Sequence, residues 1–194
     1  MIRATPILVT PPAFEPLTLE DAKRHARIDG DDGNRTLIGF IAAAREAAED
    51  YLGRGLITQT WRFELDAWAS TIELPMAAPL QSVTGITYVD VNGATQTLSS
   101  AVYTVDTSSW PGRVLLTNTQ TWPTLGPGLQ AKVKITYIVG YTTRDLIPEA
   151  IKQGLRAYVA ALDADRDGLA GGDLAMQAAR LCWRDRVFCI GPGA

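Results

Sequence analysis

Apolar residues recur with a helical period in two long stretches of the chain. The first covers residues 36–52 and ends before Gly53 and Gly55, which favour helix termination because glycine adopts a left-handed conformation without steric cost. The second begins at Pro148 and continues to Leu162. Each stretch predicts an amphipathic helix with one apolar face to bury.

A shorter helix is predicted ahead of these two. Thr18 and Asp21 have the spacing of a capping box, and a narrow apolar stripe follows them to about Arg27. The polar run after this stripe predicts a turn. Asn34, at its end, is a residue type suited to cap the helix that comes next.

After Gly55 the apolar positions change from a helical to a strand-like period. Residues 58–66 and 132–139 alternate most clearly between apolar and polar side chains. Asn92 and Gly93 form the dipeptide most typical of a type I′ hairpin turn. Further strands are predicted at residues 71–74, 86–91, 94–98, 102–105 and 113–117. The middle of the chain therefore predicts an antiparallel β unit.

We expect an α+β fold, in which a small helical bundle is formed by both ends of the chain and an antiparallel β domain is inserted between them. The helical domain comprises residues 18–56 and 143–185, and the β domain comprises residues 57–142. Residues 1–17 contain closely spaced prolines, which exclude a helix and predict an extended arm. Residues 186–194 form a short apolar tail.

The charge balance narrows the possible functions. The 194 residues include 18 Lys and Arg against 21 Asp and Glu, a formal net charge of −3, which argues against a basic nucleic-acid-binding protein. No stretch is apolar for long enough to cross a bilayer or to act as a signal peptide. We therefore expect a protein made in the cytoplasm that binds no membrane, with Cys182 and Cys189 reduced.

No familiar catalytic motif is present in the sequence. It lacks the glycine-rich turns that hold nucleotide phosphates and the Gly-x-Ser-x-Gly turn of many hydrolases. His25 is the only histidine, and the spacing of the two cysteines matches no common zinc pattern. We expect no enzyme activity, no catalytic residue and no cofactor.

A calcium site is the main alternative to a purely structural role. Asp163, Asp165 and Asp167 precede Gly168, as the first oxygen ligands of an EF-hand loop precede its glycine. Leu174 stands where such a loop carries its bidentate glutamate, which leaves a cation short of ligands. The run is therefore interpreted either as a solvated acidic loop or as the centre of a calcium-dependent binding module.

Several segments together resemble a known family of particle proteins. They read PLTLEDAK at residues 16–23, ARID at 26–29, AAREAAEDYLGRGLITQTW at 43–61 and IPEAI at 147–151. This order resembles the head-tail connectors of tailed bacteriophages over about residues 16–168. The same kind of adaptor occurs in gene transfer agents, which are phage-like particles that carry host DNA.

The resemblance implies a structural adaptor at the head-tail junction of a virion or phage-like particle. Such adaptors bind beneath the portal protein, most often as a ring of twelve copies. They extend the DNA channel towards the stopper or tail-terminator protein, and double-stranded DNA passes through the lumen without specific binding. The family has no catalytic residues to carry over.

Two surfaces are candidates for these contacts. Small side chains on the 36–52 helix offer a smooth flank to a neighbouring subunit, although they fit equally well inside the monomer: Ala43, Ala44, Ala47 and Ala48. The apolar residues near the C-terminus either dock onto the portal as an added strand or cover the core of this chain: Trp183, Val187, Phe188 and Ile190.

Overall fold

The computed structural model describes residues 4–128, 131–165 and 183–187 and has the expected α+β architecture. Three α-helices are present in these residues: α1 (Leu19–Ala26), α2 (Asn34–Leu52) and α3 (Glu149–Ala164). Two short 3-10 turns cover Arg144–Leu146 and Trp183–Asp185. The three helices contact one another pairwise, so they form a bundle with a shared interior.

The capping box at the start of α1 is confirmed. The Thr18 hydroxyl accepts a hydrogen bond from the Asp21 backbone N–H at 3.1 Å, and the Asp21 carboxylate accepts one from the Thr18 N–H at 3.4 Å. The helix ends at Arg27, which adopts the left-handed conformation with a φ of 56°.

The start of α2 differs from the prediction. Gly33 occupies the N-cap position and Asn34 is already helical, so the expected capping role of Asn34 is wrong. Its side-chain amide instead donates to the Asp31 carboxylate at 2.9 Å, a bond that ties the helix to the preceding turn. The predicted end is confirmed, because Gly53 caps α2 with a φ of 66°.

Eight strands form two antiparallel sheets. The five-stranded sheet has the order β1-β2-β8-β4-β5, and the three-stranded sheet has the order β3-β7-β6. The strands are β1 (Ala4–Thr10), β2 (Gln59–Leu65), β3 (Thr71–Glu73), β4 (Leu80–Val89), β5 (Thr95–Thr97), β6 (Tyr103–Asp106), β7 (Arg113–Leu116) and β8 (Val133–Val139). The expected arm contributes β1, which pairs with β2 of the same chain.

The β4–β5 hairpin corrects two predictions. Strand β4 begins at Leu80 rather than at residue 86, because it pairs with β8 along its length through two irregularities in register. The turn is not type I′, which needs a positive φ at both central residues, since only Gly93 has one there. The Asp90 carboxylate accepts bonds from the Asn92 and Ala94 N–H groups and shapes this loop.

The buried side chains form two separate cores. The helical core is formed by apolar side chains from all three helices. It includes Leu37, Ile41, Leu52, Ile151 and Val159. The β core lies between the two sheets and includes Phe63, Ile72, Ile86, Val114 and Ile135. The link between the two cores runs through residues 52–59, where α2 ends and β2 begins.

Candidate functional site

Buried polar side chains concentrate where the helical and β domains meet. Among the described residues, four polar or charged side chains are buried: Arg45, Glu49, Arg54 and Gln59. Arg45 and Glu49 lie on the second half of α2, Arg54 lies in the link that follows it, and Gln59 begins β2. We call this region the junction.

The Glu49 carboxylate organises one side of the junction. It accepts hydrogen bonds from Arg45 Nη1 at 2.8 Å, from the Leu56 N–H at 2.8 Å and from Gln59 Nε2 at 2.6 Å. Burial raises the pKa of Glu49, while these donors and the Arg45 charge oppose that rise. The carboxylate thus ties α2 to the chain segment that enters the β domain.

The Arg45 guanidinium uses all three of its nitrogens for carboxylates. Besides Glu49, it donates from Nε to Glu15 at 2.9 Å and from Nη2 to Glu46 at 3.0 Å. Burial alone lowers the pKa of Arg45, but the charges of Glu49 and Glu15 outweigh it and raise the pKa overall. This residue therefore joins the arm to α2.

Arg54 is fully buried on the other side of the junction. Its Nε donates to the Ala78 carbonyl at 2.8 Å, and its Nη2 donates to the Tyr141 hydroxyl at 2.7 Å. The Trp110 ring lies over the guanidinium carbon at 4.6 Å from ring centroid to carbon. Burial lowers the pKa of Arg54. Arg54 thus links β-domain loops to the end of α2.

The C-terminal segment, residues 183–187, docks on the junction. Arg54 Nη1 donates to the Asp185 carbonyl at 3.3 Å, and the Val187 N–H donates to the Leu52 carbonyl at 2.8 Å. The Arg186 guanidinium lies 4.8 Å from the Tyr51 ring centroid. A Cβ on Gly53 would lie 2.6 Å from the Val187 carbonyl oxygen, so this approach requires glycine. These contacts therefore hold residues 183–187 at a defined place on the junction.

Only the first residues of the predicted calcium run lie in the described part of the chain. Asp163 lies on the last turn of α3, which continues past the predicted end at Leu162, and Asp165 caps that helix. Asp167 lies outside the described residues. Within the described part of the chain, no three His, Cys, Asp or Glu side chains are grouped to hold a metal ion. No observation supports the calcium-dependent module.

The structure describes only some of the residues predicted to form the tail contact. The Val187 backbone binds this chain's own Leu52 carbonyl, and the described backbone of Trp183 begins the last 3-10 turn. Phe188 and Ile190 lie outside the described residues. The structure therefore shows how the tail is attached.

The four alanines proposed for the ring contact do not share one environment. Ala44 is completely buried in the helical core, and Ala48 is half-buried against it. Ala43 and Ala47 are exposed on the outward face of α2. Only the latter two are available to a neighbouring subunit, because helical geometry turns the others towards α1 and α3.

A basic groove between α1 and α3 was not predicted from the sequence. It has a volume of about 510 Å³ and is lined by Asp21, Arg24, His25, Arg27, Gln153 and Arg156. Arg24 and Arg27 lie close to His25 in the sequence, but no local pattern indicates that Arg156, far along the chain, joins them. We call this surface the basic groove.

Part of the chain matches the model of a known protein family. The model of the phage gp6-like head-tail connector family matches residues 16–106, which confirms the resemblance over a shorter stretch than residues 16–168. No curated protein matches the chain.

No helix among the described residues is long and apolar enough to span a membrane.

Solved structures similar to this one come from gene transfer agent (GTA) particles. A chain from the neck of an empty GTA particle, computed with C6 symmetry, has a TM-score of 0.80 at 21% identity and covers 97% of this chain and 98% of its own. A chain from the virion of a native GTA particle has a TM-score of 0.77 at 23% identity, with the same coverage. A chain from the neck of a native GTA particle, computed with C12 symmetry, has a TM-score of 0.70 at 22% identity and covers 96% and 98%. The chain therefore shares the fold of these particle proteins.

Proposed function

Since residues 16–106 match the phage gp6-like head-tail connector family, we propose that this protein is a structural head-tail connector at the neck of a phage-like particle. The observation that carries the proposal is the likeness to GTA neck chains over 97% of the sequence. Because the likeness covers nearly the whole of both chains and is not confined to one subdomain, it supports the same structural role for this protein.

The connector binds the portal protein on one side and a stopper or tail-terminator protein on the other. It does so as a ring, for which the C6 and C12 symmetries of the related neck structures provide support. Twelve copies suit this arrangement, and double-stranded DNA passes through the lumen without specific binding. A net charge of −3 suits a conduit, because a strongly basic lumen would hold the phosphates.

The function proposed here is structural rather than catalytic. The most buried ionisable groups, at the junction, are engaged with one another, with backbone groups or with aromatic rings. Such an arrangement stabilises the link between the two domains.

The portal contact is assigned to the apolar tail beyond the docked segment. The Val187 N–H is held to the Leu52 carbonyl, and a short apolar segment of this kind can add as a strand to an exposed sheet edge of the partner. Phe188 and Ile190 supply the apolar side chains for that contact.

The first experiment is a light-scattering mass measurement of the purified chain, alone and mixed with the portal protein of the same particle. A stoichiometric ring-on-ring complex is expected, and its mass gives the copy number. Absence of association across salt and protein concentrations would contradict the proposed function.

Truncation then tests the tail. Removal of residues 188–194 retains the contacts of Asp185, Arg186 and Val187 with the junction, so the fold is expected to persist while portal binding is lost. The matched control substitutes Val91, an exposed apolar residue in the β4–β5 loop, with serine. Unchanged portal binding by the truncated chain would contradict the tail assignment.

A further inference from the structure

The basic groove is a cationic surface on an acidic protein. Arg24, His25 and Arg27 are exposed on α1 and its C-cap, and the Arg24 side chain is 80% exposed. Arg156 contributes from α3, where it also pairs with Glu149. Among the described residues that line the groove, Asp21 is the only carboxylate, so their balance is positive while the whole chain is negative.

The outward face of α2 has the opposite character. From Gly39 onwards, the exposed side chains of α2 follow at intervals of three and four residues and therefore share one face: Gly39, Ala43, Glu46, Ala47 and Asp50. The exposed Arg35 lies one turn before Gly39 on the same face. We call this face the α2 ridge. The Glu46 side chain is 70% exposed, and a Cβ on Gly39 would meet no other atom within 4 Å. The ridge is thus smooth, open and acidic towards its C-terminal end.

The two surfaces belong to different helices of the bundle. The three helices contact one another pairwise, and the α2 side chains Leu37, Ile41 and Ala44 point into the core they share. The basic groove is lined by residues of α1 and α3 and of the α1 C-cap. Among the described residues, none of α2 lines the groove, so the ridge and the groove are separate surfaces of the helical bundle.

We propose that the α2 ridge of one copy docks into the basic groove of the next copy, and that this contact builds the ring. The inference rests on the proposed function, which requires a ring, and names the two surfaces that make it. A contact between two different surfaces is heterologous and passes from copy to copy until the rotation closes the ring. Glu46 and Asp50 meet Arg24 and Arg27 across the interface, and the small ridge residues allow close helix approach.

A second copy suits the groove better than a nucleic acid does. Duplex DNA carries a phosphate charge about every 1.7 Å of its axis, so it favours a long track of cations over one short groove. The Thr18 hydroxyl and then its N–H stabilise the Asp21 anion and lower its pKa, which keeps a negative charge beside the arginines. A pair of carboxylates on a helix face is complementary in charge to the arginines of this groove.

Charge reversal and charge exchange test the contact. E46K/D50K and R24E/R27E each place like charges across the interface, and each is expected to abolish ring-sized complexes in the light-scattering assay. D50K alone keeps the Arg45–Glu46 ion pair of the junction and is expected to weaken the rings as well. A chain that carries all four substitutions has exchanged the charges and is expected to form rings again. The control K134E reverses an exposed charge on β8, outside both surfaces, and is expected to assemble normally.

The outcomes separate this contact from the proposed function. Assembly of either reversal variant like the wild type, or failure of the four-fold variant to recover, contradicts the ridge-and-groove contact and leaves the connector function standing. Wild-type rings that do not bind the portal contradict the proposed function and leave the ridge-and-groove contact standing. Rings that persist in R24E/R27E while duplex DNA binding is lost would assign the groove to phosphates and overturn the inference.

Discussion

The interior of the β domain and the junction are both buried, but they are held together by different forces. The β core is apolar from Phe63 to Val139, and the Tyr137 hydroxyl reaches the Pro75 carbonyl at 2.8 Å. The junction buries two arginines, a glutamate and a glutamine within residues 45–59. Apolar burial is non-directional, whereas each junction group needs a partner at a defined place.

The difference shows how an inserted domain can be held to its host. The β core is drawn from residues 63–139, one continuous part of the chain, so burial alone suffices to collapse it. The helical domain is drawn from both ends, and the junction must align α2, the arm and the C-terminal segment at once. Directional bonds from Arg45, Glu49 and Arg54 set that alignment. The substitutions below separate the two kinds of stabilisation.

The largest effect is expected from Glu49→Ala. It leaves Arg45 Nη1, the Leu56 N–H and Gln59 Nε2 without their acceptor in a buried site, which costs about 3–5 kcal/mol of unfolding free energy. Glu49→Gln retains one acceptor oxygen and is expected to lose less unfolding free energy than Glu49→Ala. Urea denaturation measures both, and equal losses would show that the carboxylate does not organise the junction.

Conservative replacements in the junction and in the β core are expected to have the next largest effects on the free energy of unfolding. Arg45→Lys cannot reach three carboxylates from one ammonium group and is expected to cost about 1–3 kcal/mol. Ile135→Val in the β core removes one methylene group and is expected to cost about 1 kcal/mol. A smaller loss for Arg45→Lys than for Ile135→Val in urea denaturation would contradict the comparison.

Two glycines with similar backbone conformations isolate the docking of the C-terminal segment. Gly30→Ala and Gly53→Ala both place a side chain at positive φ, at about 1 kcal/mol each, but only at Gly53 does the new Cβ meet the Val187 carbonyl. Gly53→Ala is therefore expected to cost more and to speed proteolytic removal of residues 183–194. Equal proteolysis rates for the two variants would show that the segment is not held by this contact.

The smallest effect is expected from Asp106 in the β domain. Bonds from the Ser108 side chain, and then from Arg113, lower the pKa of Asp106 below its ordinary value of 3.8. A lowered folded pKa contributes stability that is present above the unfolded pKa and is lost as pH falls through the folded pKa. Asp106→Asn is therefore expected to be less stable than the wild type at neutral pH. The difference in stability between the two proteins is expected to shrink below about pH 4, where the wild type loses the contribution of Asp106. Thermal midpoints across that range test this, and a constant deficit would contradict it.

The local elements followed from the sequence, since they depend on residues close together in the chain. Periodicity predicted α2 and α3, the Thr18 capping box predicted the start of α1, and alternation predicted β2 and β8. The α+β order with an inserted β domain followed as well, because the period changes at both ends of the insertion. The family resemblance came from the same local segments.

Tertiary structure decided which residues meet across long separations. Pairing with β8 started β4 at Leu80, although the sequence there does not alternate, because hydrogen bonds to a partner strand outweigh local pattern. Arg54 is buried because Ala78, Tyr141 and Asp185 converge on it, and Arg156 joins the α1 cations only after α1 and α3 pack. Sequence periodicity reports which face of an element is apolar; which distant groups converge depends on how those faces pack.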